Sequence, residues 1–176
     1  MVQSPMPSDP PRFDLGLSPA VDQAPPWTTS RWFHHAGDSL QPAALLGRVV
    51  ALHVFQMLCP ACVHHALPQA QKMHAVFADE AFTVVGLHSV FEHHAAMTPV
   101  SLAAFLHENR IRFPVGVDAE SADPADPIPA TMRRYGLEGT PSLVLIDRRG
   151  FIRDVTFGVE DDLRVGAKIG ALLAES

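Results

Sequence analysis

Apolar and β-branched residues fill Val49-Val50-Ala51-Leu52-His53-Val54-Phe55, with His53 as the one polar interruption. A run without polar alternation predicts a strand buried on both faces. From Pro60 to about Asp79 the spacing changes. Val63, Leu67, Ala70, Met73 and Phe77 recur at steps of three and four, which puts them on one face of a helix. Thr83 to His88 predicts a second short strand. Thr98-Pro99 opens another helix, with the threonine as N-cap and the proline in the first helical position. Leu102, Phe105 and Leu106 supply its apolar face. A short extended segment is expected over Phe113 to Val117. Ala119 to Pro129, with three prolines and three acids, reads as a loop. A short helix follows through Met132, Arg133 and Tyr135 and stops near Gly136. Ser142 to Ile146 is a strand, Asp147-Arg148-Arg149-Gly150 a turn with glycine in its last position, and Phe151 to Phe157 the hairpin partner. An amphipathic helix over Asp161 to Leu173 closes the chain.

Strands that alternate with helices imply a central, largely parallel sheet covered on both faces, to which the terminal hairpin adds antiparallel strands. The fold class expected is α/β. A length of 176 residues suits one domain plus a tail. Residues 1–30 carry seven of the sixteen prolines, and each fixes φ and removes a donor. They are expected to form a proline-rich, loosely ordered arm ahead of a domain over 31–176. The alternative is a strap laid over the domain or a partner, anchored by Trp27 and Phe13.

Charge narrows the partners. A net charge of −6 without a basic tract excludes nucleic acid and anionic membrane as expected partners. No apolar run reaches the ~18 residues of a membrane span. No basic start followed by an apolar stretch marks an export signal, so the expected compartment is cytoplasmic. Thiols there stay reduced unless they cycle in catalysis.

Cys59-Pro60-Ala61-Cys62 falls where the first strand hands over to the first helix. Two intervening residues on an opening helical turn bring the sulfurs within reach of each other. The free N–H groups and positive dipole end of the helix stabilise a thiolate, and the thiolate is the attacking species. Cys59, the first of the pair, is expected to be the exposed nucleophile, and Cys62 the thiol that resolves the mixed disulfide. A zinc site needs four ligands, and there is no second such pair. His64, His65, His93 and His94 leave open a copper- or zinc-binding alternative.

Two further features join this motif: Gly139-Thr140-Pro141-Ser142 directly ahead of an apolar strand, and Pro68 within the helix that begins at the cysteines. With the element order, they resemble the thioredoxin superfamily, and within it the bacterial TlpA-like and redoxin-type thiol-disulfide oxidoreductases. Leu40 to Leu46 with Gly47-Arg48-Val49-Val50 echoes the approach to the motif. Tyr135-Gly136-Leu137-Glu138-Gly139-Thr140-Pro141 echoes the closing segment.

The resemblance implies an enzyme that exchanges disulfides with a protein substrate and is recharged by an unidentified electron donor. No cofactor is expected. It implies catalytic Cys59 and Cys62, with Pro60 and Ala61 tuning the reduction potential. It also implies a cis Thr140–Pro141 bond and a substrate chain held near the Thr140 backbone.

Three positions depart from the pattern. Leu58 stands where tryptophan is usual. His53 stands where thioredoxins bury a proton-transferring acid, so it is either a buried base or an interior residue. Pro68 falls one residue late, which a local wide turn or an insertion near His64-His65 would absorb. A peroxiredoxin would need threonine or serine three residues before its cysteine; Gln56 there makes a peroxidase the weaker reading.

Overall fold

The computed structural model describes residues 14–37 and 39–175. Its six strands are β1 (Thr29–Phe33), β2 (Val49–Phe55), β3 (Phe82–His88), β4 (Val115–Asp118), β5 (Ser142–Ile146) and β6 (Ile152–Phe157). They form one sheet in the order β1-β4-β3-β2-β5-β6. β2, β3 and β4 run parallel, while β1, β5 and β6 pair antiparallel with their neighbours. The helices are α1 (Leu67–Val76), α2 (Pro99–Glu108), α3 (Ala130–Arg134) and α4 (Asp162–Ala174). This is the mixed sheet flanked by helices that the apolar pattern predicts.

β2 lies within the sheet, between β3 and β5, and all seven of its residues are buried. Successive side chains of a strand point to opposite faces, and here each face feeds its own core. Val49, Ala51 and Phe55 join residues of α1, α2 and α4. Val50, Leu52 and Val54 join Trp27, Leu40 and Met132 on the other side. With both faces covered, every second position must be apolar on each side, and the run shows no alternation.

The local signals for the helix starts hold. Thr98 Oγ1 accepts the Ser101 N–H at 3.2 Å, with Pro99 at the first helical position of α2. Asp161 caps α4 by accepting from Leu163 N at 2.9 Å and Arg164 N at 3.3 Å. The β5–β6 turn closes with Gly150 N donating to Asp147 O at 2.9 Å, and Gly150 takes a φ of +87° that favours glycine.

Two features differ from the expected pattern. The helix expected from Pro60 to about Asp79 does not wind uniformly: Cys62–Ala66 is a π turn, and α1 begins only at Leu67. The second is β1, an edge strand that straddles the boundary expected at residue 30. Its five residues include only Trp32 and Phe33 as large apolar groups, and the prolines upstream mask its signal.

Ahead of β1 the described chain runs along the hairpin. Ser18 N donates to Arg153 O at 2.7 Å, Ile152 N to Asp22 O at 2.8 Å, and Ala24 N to Gly150 O at 2.8 Å. Trp27 is 3% exposed, and its Nε1 donates to the Tyr135 hydroxyl at 2.9 Å. That hydroxyl in turn donates to Pro25 O at 2.7 Å. Phe13, the other anchor named for a strap, lies outside the described residues.

Trp27→Ala removes a large side chain from the core on the α3 side, and with it the N–H that the Tyr135 hydroxyl accepts. We expect a loss of about 3–5 kcal/mol, the usual cost of truncating a buried tryptophan, read as a lower urea midpoint. A loss below about 1 kcal/mol would show that this segment adds little to the domain.

Candidate active site

β2 carries the chain to the edge where the parallel strands end, and the turn beyond it delivers the cysteines. Cys59 N donates to Gln56 O at 3.2 Å. Met57 N donates to Nε2 of His88, the last residue of β3, at 3.4 Å. The neighbouring strand therefore pins the turn from below. A ring nitrogen can accept that bond only while unprotonated. Burial pushes the pKa of His88 down to about 4, which keeps it neutral near pH 7.

Both cysteines are free thiols. Cys59 is half-buried and Cys62 is fully enclosed. Cys62 N donates to Cys59 Sγ at 3.3 Å, and Cys59 Sγ lies 3.6 Å from Thr140 O. An N–H aimed at sulfur from the first helical turn is placed to stabilise negative charge there. Burial, with the Cys59 sulfur beside it, pushes Cys62 up to about 12. Pro60 and Ala61 begin the helix between the two.

The π turn follows at once. Leu67 N donates to Cys62 O, five residues back, instead of the usual four. The wider turn holds one extra residue, and this absorbs the late position of Pro68, which has no N–H to give. His64 and His65 sit on this turn.

Thr140–Pro141 is a cis bond, as the resemblance implies. Its loop is tied to both hairpin strands: Ser142 Oγ donates to Gly139 O at 2.8 Å, and Gly158 N donates to Pro141 O at 2.8 Å. A Cβ on Gly139 would lie 2.9 Å from the Phe157 ring, so only glycine lets that ring lie over the loop. Phe157 is 57% exposed and Leu58 54% exposed. Two open apolar side chains thus border the loop and the turn that meet at Cys59. Leu58 departs from the family pattern in the sequence itself; Phe157 reads there only as a hairpin residue, and nothing in its sequence context ties it to the cysteines.

His53 faces α1 inside the sheet, 5.9 Å from the Phe55 ring. Neither ring nitrogen has a hydrogen-bond partner among the described residues. Burial pushes it down to about 4, offset only in part by the nearby Ala66 backbone. Gln56, also enclosed, has an unpartnered side-chain amide. Among the described residues no group of three or more His, Cys, Asp and Glu could hold a metal ion, so His64, His65, His93 and His94 do not gather around the cysteines. No helix among them is long and apolar enough to cross a membrane.

A thioredoxin-like fold that carries a dithiol at a strand–helix junction, facing a cis-proline loop, defines the class. Residues 21–155 match the AhpC/TSA family, and the chain belongs to it. It is similar to the crystal structure of a thioredoxin-like superfamily protein, with 49% identity over 89% of this chain and 99% of that one, at a TM-score of 0.84. It is also similar to a thiol-disulfide isomerase from Corynebacterium glutamicum, with 48% identity over 87% of this chain and 98% of that one, at a TM-score of 0.80. A thiol:disulfide interchange protein DsbE from Chlorobium tepidum shares the fold at 22% identity, over 87% of this chain and 96% of that one, with a TM-score of 0.67. No curated protein matches.

The two buried histidines make stability depend on pH. Each ring's pKa falls from 6.5 in the unfolded chain to about 4 when folded. Between those values the unfolded chain binds protons that the folded rings refuse. Stability therefore falls as pH drops through that window, by roughly 3 kcal/mol per ring. Asp118, which burial pushes up, works the opposite way over the lower part of the same range. Urea midpoints near pH 7.5 and near pH 4.5 test this. His88→Gln keeps an acceptor for Met57 N and should flatten the difference; an unchanged slope would contradict it.

Proposed function

We propose that the protein is a thiol-disulfide oxidoreductase in which Cys59 attacks and Cys62 resolves. The observation that carries this reading is the asymmetry of the pair. Cys59 is half-buried and receives the Cys62 N–H at 3.3 Å, whereas Cys62 is enclosed and pushed up to about 12. A thiol held in its protonated form cannot lead the attack.

In the reducing direction the Cys59 thiolate attacks one sulfur of a substrate disulfide. That S–S bond breaks, the departing sulfur takes a proton, and Cys59 is left in a mixed disulfide. Cys62 then gives up its proton and attacks Cys59 Sγ, which frees the second substrate thiol. The substrate has gained two electrons and two protons, and the protein holds a Cys59–Cys62 disulfide. A dithiol donor returns it to the starting state. Run backwards, the same steps oxidise a substrate dithiol.

A protein substrate is the natural occupant. The Thr140 carbonyl beside Cys59 is a backbone group that an extended chain can reach, and Leu58 and Phe157 offer it apolar contact. Pro60 and Ala61 set the local environment of both sulfurs. His53, neutral and enclosed, is a weak base at neutral pH, and the exchange is written without a proton passing through it. Gln56 supplies no hydroxyl for a peroxide at the position where a peroxiredoxin needs one. The imidazoles do not complete a ligand set with the sulfurs, so neither the peroxidase nor the copper or zinc reading gains support.

Timed alkylation with mass spectrometry tests the assignment. Cys59 should be modified well before Cys62. Cys62→Ser should accumulate a mixed disulfide with a model disulfide protein, and Cys59→Ser should lose exchange altogether. Earlier labelling of Cys62, or exchange that survives Cys59→Ser, would overturn it.

A further inference from the structure

A second concave site lies away from the cysteines. It is a pocket of about 390 Å³ between the end of β1, the second half of α2 and the segment that follows α2. That volume is at the small end of the range for small-molecule sites. In the sheet, β4 and β3 separate β1 from β2, the strand that leads to Cys59.

The floor is apolar: Leu106 and Ile111 are almost fully buried, and Phe33 and Ala103 flank them. The rim is basic: His34, His107, Arg110 and Arg112. Arg31 adds a further cation, its guanidinium 5.1 Å from the centre of the Phe33 ring. Among the described residues the lining holds no carboxylate, and neither Arg110 nor Arg112 has an ion-pair partner. The nearby Glu108 lies outside the lining and pairs with His107 Nδ1 at 3.2 Å. In a chain of net charge −6, the unpaired guanidinium groups of Arg110 and Arg112 beside an apolar floor have a chemical meaning. The floor favours an aliphatic or aromatic body, and the arginines favour an anionic head that accepts charge-assisted hydrogen bonds.

We propose that this pocket binds a small amphipathic organic anion, a carboxylate or sulfonate with an apolar body. The body lies against Phe33, Leu106 and Ile111, and the head meets Arg110 and Arg112. Because the pocket shares no residue with the dithiol site, occupancy leaves the cysteines open to substrate.

The probe is 1-anilinonaphthalene-8-sulfonate, whose fluorescence rises on leaving water. The full chain should bind it saturably at one site, and octanoate should displace it where acetate at the same concentration does not. Added salt should weaken binding, because the rim charges are exposed. Arg112→Gln combined with Arg110→Asn should weaken it by about tenfold or more, with disulfide exchange unchanged. Asparagine tolerates the φ of +54° that Arg110 adopts, so the double variant should fold. Amide NMR shifts should cluster at 33–34 and 103–112. Absence of saturable binding, equal binding by the double variant, displacement by acetate as strong as by octanoate, or shifts centred on Leu58 and Phe157 would each overturn the proposal.

Discussion

The site depends on the burial of β2 on both faces. A strand enclosed between two apolar cores cannot slide or turn without exposing one set of side chains, so the point where it ends is fixed in space. The turn at Gln56 to Leu58 hangs from that point, held also by the His88 ring through Met57 N–H. Cys59 therefore emerges at a set height above the sheet. β5, the antiparallel neighbour of β2, brings the Thr140–Pro141 loop to the same edge. The 3.6 Å approach of Cys59 Sγ to Thr140 O follows from two adjacent strands ending at one place.

The helix that follows has two demands to reconcile. Its first turn must present Cys59 outward and enclose Cys62. Its later turns must lay Leu67, Ala70 and Met73 against the sheet, while Pro68 forgoes a hydrogen bond. The π turn over Cys62–Ala66 reconciles them by inserting one residue between the reactive turn and the packed helix. Such bulges recur at functional sites because they re-aim one turn without breaking the helix. The cost of enclosing polar groups nearby is visible in His53 and Gln56, whose side chains are buried without hydrogen-bond partners among the described residues.

Much of this was legible in the residues. The unalternated run of β2, the threonine–proline start of α2, the dithiol at a strand–helix junction and the Gly139-Thr140-Pro141 loop are local signals, and each reflects a local cause. The late position of Pro68 pointed to a wide turn or an insertion, and the π turn over Cys62–Ala66 supplies the extra residue. What stayed hidden depends on long-range contact. β1 is short and follows a proline-rich stretch, so its pairing with β4 leaves no periodicity to read. The neutral His88 beneath Met57 and the Phe157 ring over Gly139 join segments 31 and 18 residues apart. Nor could spacing tell that, among the described residues, the four histidines near the cysteines and β3 join no group of three or more that could hold a metal ion.

Whether Cys59 and Cys62 pair reversibly can be read from peptide masses in a series of glutathione redox buffers. Tryptic cleavage after Arg48 and Lys72 leaves both cysteines on one peptide. This peptide should pass, through a single two-electron transition, from a dithiol to a form lighter by two hydrogens. The midpoint of the transition should be the same from either direction. Two thiols that take up only glutathione, or that never pair, would contradict it.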